Sequence, residues 1–407
     1  MRHELQVELA KRVLAHIEAK TTDADPSATT LDVGAYCDAP RMQREMDGLF
    51  STLPLPVAHI SDLPNPGDFL THDKSGVPLL LVKRDDGGVD AFINVCRHRG
   101  TRVEGAPSGQ KRAFSCPYHG WTYGRRGQLM TVPHERGFSC VDKASRGLAR
   151  VAAGVACGFV WVVPSALEEG ASHELDVRDW LGPLAEDLDG FGIATAVAHD
   201  AERRSVDRDI SWKIAIDIFL EAYHLRPTHK ESIYPMFFDN LGLVDRIGPH
   251  QRNVFPKRSI RELPQTDEAS WQLRQHANVL FHLFPNTLVL VQPDHAAVLN
   301  VWPIGTDRTN VSSYILIPER AQSDKARRYW KANADVLYHA TDEDFAMGES
   351  IQRGLASGAN RELVLGSFEH SLAHFHRQIT ELATRLLPAP HVHVGGHAGQ
   401  KDPRSRS

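Results

Sequence analysis

Two short stretches, NVCRHRG at 94–100 and FSCPYHGWTYG at 114–124, carry Cys96-x-His98 and Cys116-x-x-His119 with seventeen residues between the pairs. Two thiolates and two imidazoles in paired turns can hold metal in two ways. One is a tetrahedral Cys₂His₂ zinc; the other is a [2Fe–2S] cluster with Cys₂ on one iron and His₂ on the other. Zinc turns usually bring two like ligands per loop, whereas each loop here brings one Cys and one His, an arrangement that suits a cluster held between loops. Gly100 and Gly120 are expected to let backbone N–H groups approach the sulfurs, and Trp121 to shield the site.

A second constellation lies in DIFLEAYHLRPTH, which holds Asp217, Glu221, His224 and His229. Read as one helix, Asp217, Glu221 and His224 fall within about 60° of one another, opposite Trp212, Ile216, Phe219 and Tyr223. Pro227 is expected to force Arg226 off helical geometry and bend the chain, so that His229 joins His224 on one metal. Two histidines and a carboxylate on one face of an iron leave positions open for O₂. The acidic run in ATDEDFAMGES offers Asp342, Glu343 and Asp344 as that carboxylate.

The elements that must position these groups follow from patterning. Leu5, Leu9, Val13 and Ile17 make an amphipathic N-terminal helix, not a signal peptide. Residues 41–165 are rich in strand signals, with a hairpin around Asp85-Asp86-Gly87-Gly88 and a buried strand in GVACGFVWVVP. Strands are expected at about 278–284, 287–292 and 296–304, with a turn at Pro285-Asn286, then VSSYILIP and a long helical pattern over about 321–385. The expected organisation is α+β: an N-terminal helical segment (1–40) packed on the catalytic domain, an all-β domain (41–165), a catalytic domain (166–390) and a disordered tail (391–407). His276, His282 and His295 lie on the late strands and are candidates for lining a pocket.

Composition sets bounds. At 407 residues, with a charged fraction of 24%, a hydrophobic fraction of 42% and a net charge of −5, the chain is expected to be globular, with no global basic character for nucleic acid and no run to span a membrane. Five cysteines without a signal peptide argue against a disulfide framework and for a reducing, cytoplasmic setting.

CRHRG…CPYHGW resembles the Rieske signature of the ring-hydroxylating oxygenases, with Tyr118 where respiratory-chain Rieske proteins have a cysteine. The whole chain resembles a terminal oxygenase α subunit. That resemblance implies a Rieske [2Fe–2S] domain on Cys96, His98, Cys116 and His119, and a helix-grip (START-like) domain of antiparallel sheet and long helix. It implies mononuclear Fe(II) on His224, His229 and Asp344, with Asp342 in reserve as third ligand. Glu221 would be the carboxylate bridging the two centres across subunits of a homotrimer, with Asp217 as a further catalytic residue of that stripe.

Electrons would come from NAD(P)H through a separate flavin reductase or ferredoxin, and O₂ would hydroxylate a small aromatic substrate. Glu rather than Asp at 221 resembles the branch acting on choline-, betaine- and carnitine-like compounds, which opens monooxygenation or demethylation of an N-methyl or quaternary-ammonium substrate as an alternative. A Rieske electron carrier and a zinc-binding module are the rivals from other classes; His224, His229 and the late aspartate argue against both. Arg97, Arg99, Lys111, Arg112, Arg125 and Arg126 crowd the cluster loops and would face an acidic redox partner.

Overall fold

The β-rich first half builds two antiparallel sheets. The computed structural model describes residues 1–386 apart from 169, 200 and 201; the tail expected from 391 lies outside the described residues. The larger sheet runs in the order Leu55–His59, Phe159–Val163, Arg150–Ala156, Val89–Ile93, Leu79–Lys83, Asp68–His72, Ser108–Gln110. A three-stranded sheet, Ala113–Ser115, Thr122–Gly124 and Leu129–Thr131, carries the second Cys/His loop between its first two strands. The hairpin expected around Asp85–Gly88 is present. GVACGFVWVVP, however, is two strands and not one. Cys157 (φ 51°) and Gly158 (φ 82°) turn the chain between them, and two consecutive left-handed residues suit the twist of a tight hairpin.

The second half is an eight-stranded antiparallel sheet. Its main path is Val197–Ala198, Thr309–Ile317, Ala296–Pro303, Thr287–Val291, Ala277–Leu283, His250–Pro256, Leu243–Ile247, and Arg204–Arg208 pairs with Thr309–Ile317. Because strand side chains alternate, both faces are buried. Val279, Phe281 and Leu283 pack in a core shared with Leu9 and Val13 of the N-terminal helix His3–Ala19. Leu280 and Leu288 face the helices through Leu337, Phe345 and Phe375.

The helical pattern over 321–385 is two helices, Asp324–Ala356 and His370–Arg385. Gly358, at φ 71°, ends the first, and Glu362–Leu365 then pairs with Thr29–Asp32 before the second begins. The first helix is 33 residues long, about 50 Å at 1.5 Å per residue, and Ser323 caps it by accepting from the Ala326 N–H. No helix among the described residues is long and apolar enough to cross a membrane.

Several buried histidines tie this scaffold together as neutral rings. His59 contacts the Ile193 carbonyl at 3.0 Å and His250 the Trp180 carbonyl at 2.8 Å; burial holds both down to about 4, and His282 to about 3. Their unfolded value is about 6.5, so the folded chain binds fewer protons below that pH. The stability they contribute is full above about pH 6.5 and is lost as pH falls toward their folded values. The urea midpoint should therefore fall between about pH 8 and about pH 5. A midpoint that rises on acidification would contradict this reading.

Candidate metal centres

The two Cys/His loops have the same hydrogen-bond plan. In the first, the Cys96 N–H donates to Thr101 O (2.8 Å) and the Gly100 N–H donates to Cys96 O (2.9 Å). In the second, the Cys116 N–H donates to Trp121 O (2.8 Å) and the Gly120 N–H to Cys116 O (2.9 Å). Each glycine closes its loop at positive φ (84° and 72°), a conformation that favours the absence of Cβ. The N–H groups of the two glycines themselves serve the loop carbonyls.

Both thiols are buried, while His98 is half-buried and His119 exposed, with ring centroids 4.7 Å apart. Sulfurs inside and imidazoles at the rim is the separation that a cluster with Cys₂ on one iron and His₂ on the other requires. Trp121, buried, stacks on His98 at 4.9 Å and 5°, the shielding expected of it. Burial, reinforced by His119 and Arg99, holds His98 below its ordinary value, which favours the neutral ring.

Tyr123 completes this site. Its hydroxyl lies 3.3 Å from Cys96 Sγ and accepts from the Arg97 N–H at 3.0 Å. Burial and the neighbouring Cys96 push the phenol up, which keeps it protonated and donating toward sulfur. Nothing in the sequence marks it beyond its place two residues after Trp121.

The mononuclear constellation depends on a broken helix. Trp212–Asp217 is a short, fully buried helix anchored by the buried Lys213–Glu45 ion pair, and it ends at Asp217 instead of running through His224. A turn follows. Glu221 then accepts from the Tyr223 N–H and, at 3.1 Å, from the His224 N–H, and this capped turn leads into a second helix, Leu225–Thr228. Pro227 lies inside that helix and does not break it, because a first-turn N–H has no intrahelical partner to lose. The single stripe read from the sequence therefore dissolves. Asp217 faces Tyr36 (2.6 Å) and His376 (3.0 Å) in a separate buried cluster, and Tyr223 is exposed.

What the turn brings together is His224, His229 and Asp344, whose ligand atoms all lie within 4.8 Å of one another. His224 Nδ1 is 2.5 Å from Glu221, and His229 Nδ1 is 2.8 Å from Glu343, which also accepts from Ser232 at 2.6 Å. Each imidazole thus donates Nδ1–H to a carboxylate and turns Nε2 inward, the orientation metal-ligating histidines adopt. Asp344 Oδ1 stands 2.8 Å from His229 Nε2 and 3.4 Å from His224 Nε2, yet it is buried without a hydrogen bond. An orphaned carboxylate oxygen facing two imidazole nitrogens fits a divalent cation.

Without the cation, burial opposes charge on His224, but Asp344 and Glu221 override it and hold the ring up to about 10; the same imidazoles hold Asp344 down against its burial. Asp342 points the other way, paired with Arg204 (2.9 Å) and Arg208. Gly348, one turn beyond Asp344, lets the long helix approach the ligand helix: a Cβ there would meet Ile218 at 3.0 Å.

A cavity of about 90 Å³ opens beside these three residues, walled by Phe219, Phe237, Phe255, Leu280 and Leu290. Phe219, which the one-helix reading puts opposite the carboxylate–histidine stripe, lines it. His276, His282 and His295 do not; they contact Ser259, Pro285 and Asp294.

The Rieske [2Fe–2S] domain family matches residues 54–144, and the ring hydroxylating alpha subunit (catalytic domain) family matches residues 196–384. The large oxygenase component of the naphthalene 1,2-dioxygenase system of Pseudomonas aeruginosa is 33% identical over 335 residues, 72% of each chain. The chain belongs to the Rieske ring-hydroxylating oxygenase α subunits. The carnitine monooxygenase oxygenase subunit of Escherichia coli (strain K12) is 28% identical to this oxygenase, over 87% of this chain and 94% of that one. A crystal structure of a quaternary ammonium Rieske monooxygenase with L-carnitine superposes with a TM-score of 0.73 at 22% identity, covering 87% and 95% of the two chains. Naphthalene 1,2-dioxygenase from Rhodococcus sp. bound to indole gives 0.72 at 19%, covering 94% and 99%. This oxygenase therefore carries a Rieske cluster and a non-haem iron, and takes its electrons from a separate reductase.

Three substitutions separate the roles at the mononuclear site. Asp344→Ala should lose the non-Rieske iron while the visible spectrum of the cluster stays intact. Asp342→Ala should keep that iron and lose only stability, and Glu343→Gln should weaken iron binding by about 10- to 100-fold. Iron loss from Asp342→Ala with retention in Asp344→Ala would reverse the ligand assignment. At the cluster, Tyr123→Phe removes a donor to sulfur and should lower the reduction potential in protein-film voltammetry; an unchanged potential would remove Tyr123 from the account.

Proposed function

We propose that this chain is a terminal oxygenase hydroxylating a small, mainly apolar aromatic substrate. Cys96 and Cys116 hold one iron of its cluster, His98 and His119 the other, and His224, His229 and Asp344 hold the mononuclear iron. The bound iron supplies O₂ activation, and the residues around it position the substrate and keep it dry. One observation carries the substrate reading. The cavity wall is phenyl and aliphatic, and none of the described residues lining it is a lysine or arginine that could meet a carboxylate.

A second reading, an N-methyl or quaternary-ammonium substrate, is favoured by Glu221 and by the carnitine-oxidising relatives, and three phenyl rings can face a cation. Substrate-dependent O₂ uptake with product analysis decides between them. Toluene and naphthalene should give coupled hydroxylated products, and carnitine and choline none. Coupled turnover of carnitine or choline alone would replace the first reading with the second.

The electron route is also proposed. Tyr118 and His119 are exposed, and Glu221 holds His224 from the side away from Asp344. In a homotrimer, Glu221 would link His119 of one subunit to His224 of the next, so Cys96→Ala chains mixed with His224→Ala chains should regain activity. Mixed trimers that form but stay inactive would sink the cross-subunit route.

Of the six basic residues around the cluster loops, Lys111 pairs with Glu104 and Arg125 with Asp85. Arg97, Arg99, Arg112 and Arg126 remain exposed for an acidic ferredoxin or a reductase fed by NAD(P)H. Turnover under limiting reductase should fall steeply with salt, and a flat response would leave these arginines as ordinary surface. The five cysteines, none of them paired in a disulfide, support a reducing, cytoplasmic setting.

A further inference from the structure

Asn278 lies on the strand Ala277–Leu283, opposite Phe255 in register, and shares its strand face with Leu280. Apart from Asn278, each polar side chain lining the cavity belongs to the iron constellation or has a hydrogen-bond partner. Glu221, His224, His229 and Asp344 form the iron constellation, and the Thr341 hydroxyl donates to the Tyr338 carbonyl at 3.2 Å. The Asn278 amide makes no hydrogen bond to any described residue, and its Oδ1 is buried. A buried carbonyl oxygen without a partner is costly in an apolar wall, and a leucine or valine there would carry no such cost. An amide offers both an N–H donor and a carbonyl acceptor, and which end faces the cavity is free to exchange by rotation of the amide.

We infer that Asn278 determines substrate specificity in this oxygenase, by hydrogen-bonding a neutral polar substituent on an otherwise apolar, ring-sized substrate. The inference rests on the aromatic reading of the cavity and narrows it: the preferred substrate is a ring bearing a hydroxyl or carbonyl group, not a bare hydrocarbon. The wall disfavours an anionic substituent. The amide brings no charge, and no lysine or arginine among the described lining residues would balance an anion. Discrimination then comes from the same asymmetry that governs buried polar groups generally. A substrate with the substituent satisfies the amide, and one without it leaves the amide desolvated and unpaired.

The test uses three probes of similar size: toluene, benzyl alcohol and benzaldehyde. Affinities are measured by calorimetry on the reduced, iron-loaded oxygenase without O₂, for the wild type, Asn278→Leu and Asn278→Asp. Melting temperature and the cluster's visible spectrum check that each variant is folded. The wild type should bind benzyl alcohol and benzaldehyde about tenfold or more tightly relative to toluene than Asn278→Leu does. Asn278→Asp, an acceptor of the same shape, should keep benzyl alcohol, which donates, and lose benzaldehyde, which only accepts. Identical relative affinities in wild type and Asn278→Leu would overturn the role of Asn278 and leave the aromatic reading standing. Failure of all three probes to bind wild type, with choline or carnitine binding instead, would overturn the aromatic reading and this inference with it.

Discussion

Asp344 is buried on the inner face of the 33-residue helix with a carboxylate oxygen that has no hydrogen bond, aimed between two imidazole nitrogens. A charge in that position is tolerable only if an opposite charge meets it. Much of the second half of the molecule is arranged to make that meeting possible. The ligand helix stops early so that a capped turn can swing His224 and His229 toward the carboxylate, and Gly348 lets the two helices approach. Glu221 and Glu343 take the outer nitrogens so that the inner ones are free. The sheet behind then supplies an apolar wall, so the cavity beside the constellation has a charged end and an oily end. A substrate held there is oriented by shape and by few polar contacts.

The cluster site solves a different problem with a repeated part. Two loops with one hydrogen-bond plan present one thiol and one imidazole each, the thiols inward and the imidazoles at the rim. The Tyr123 hydroxyl and the stacked Trp121 give the buried side a hydrogen bond and cover. Domain packing follows from the same economy of surface. Trp161 of the N-terminal sheet lies in a core shared with the catalytic sheet, and Leu55 lies in the other.

The sequence made some of this legible. The Cys/His loops could be read because ligand type and spacing are local, and the late strands because alternation and the Pro285-Asn286 turn are local too. The resemblance puts Asp344 first and holds Asp342 in reserve, and helical periodicity favours the same order: 337, 341, 344, 345 and 348 fall on one face, and 342 lies off it. The break after Asp217 was not legible, because a run of good helix formers gives way to a turn whose cap is the Glu221 side chain, a tertiary arrangement and not a propensity. For the same reason Asp217 joined the iron stripe on paper and a Tyr36–His376 cluster in space. Asn278 and Tyr123 were missed because one polar residue in an apolar strand, or one tyrosine beside a motif, carries no periodic signal.

The account's central claim is that a divalent cation binds between Asp344, His224 and His229 and stabilises the folded chain. The most direct test is to strip the non-Rieske iron with a chelator, leaving the cluster spectrum intact, and to follow the melting temperature as Fe(II) is returned. Removal should lower the melting temperature, and Fe(II) should restore it in a saturable way, by the equivalent of about 2.7 kcal/mol when free metal is a hundredfold above its dissociation constant. A melting temperature that does not move while that iron leaves and returns would contradict the claim.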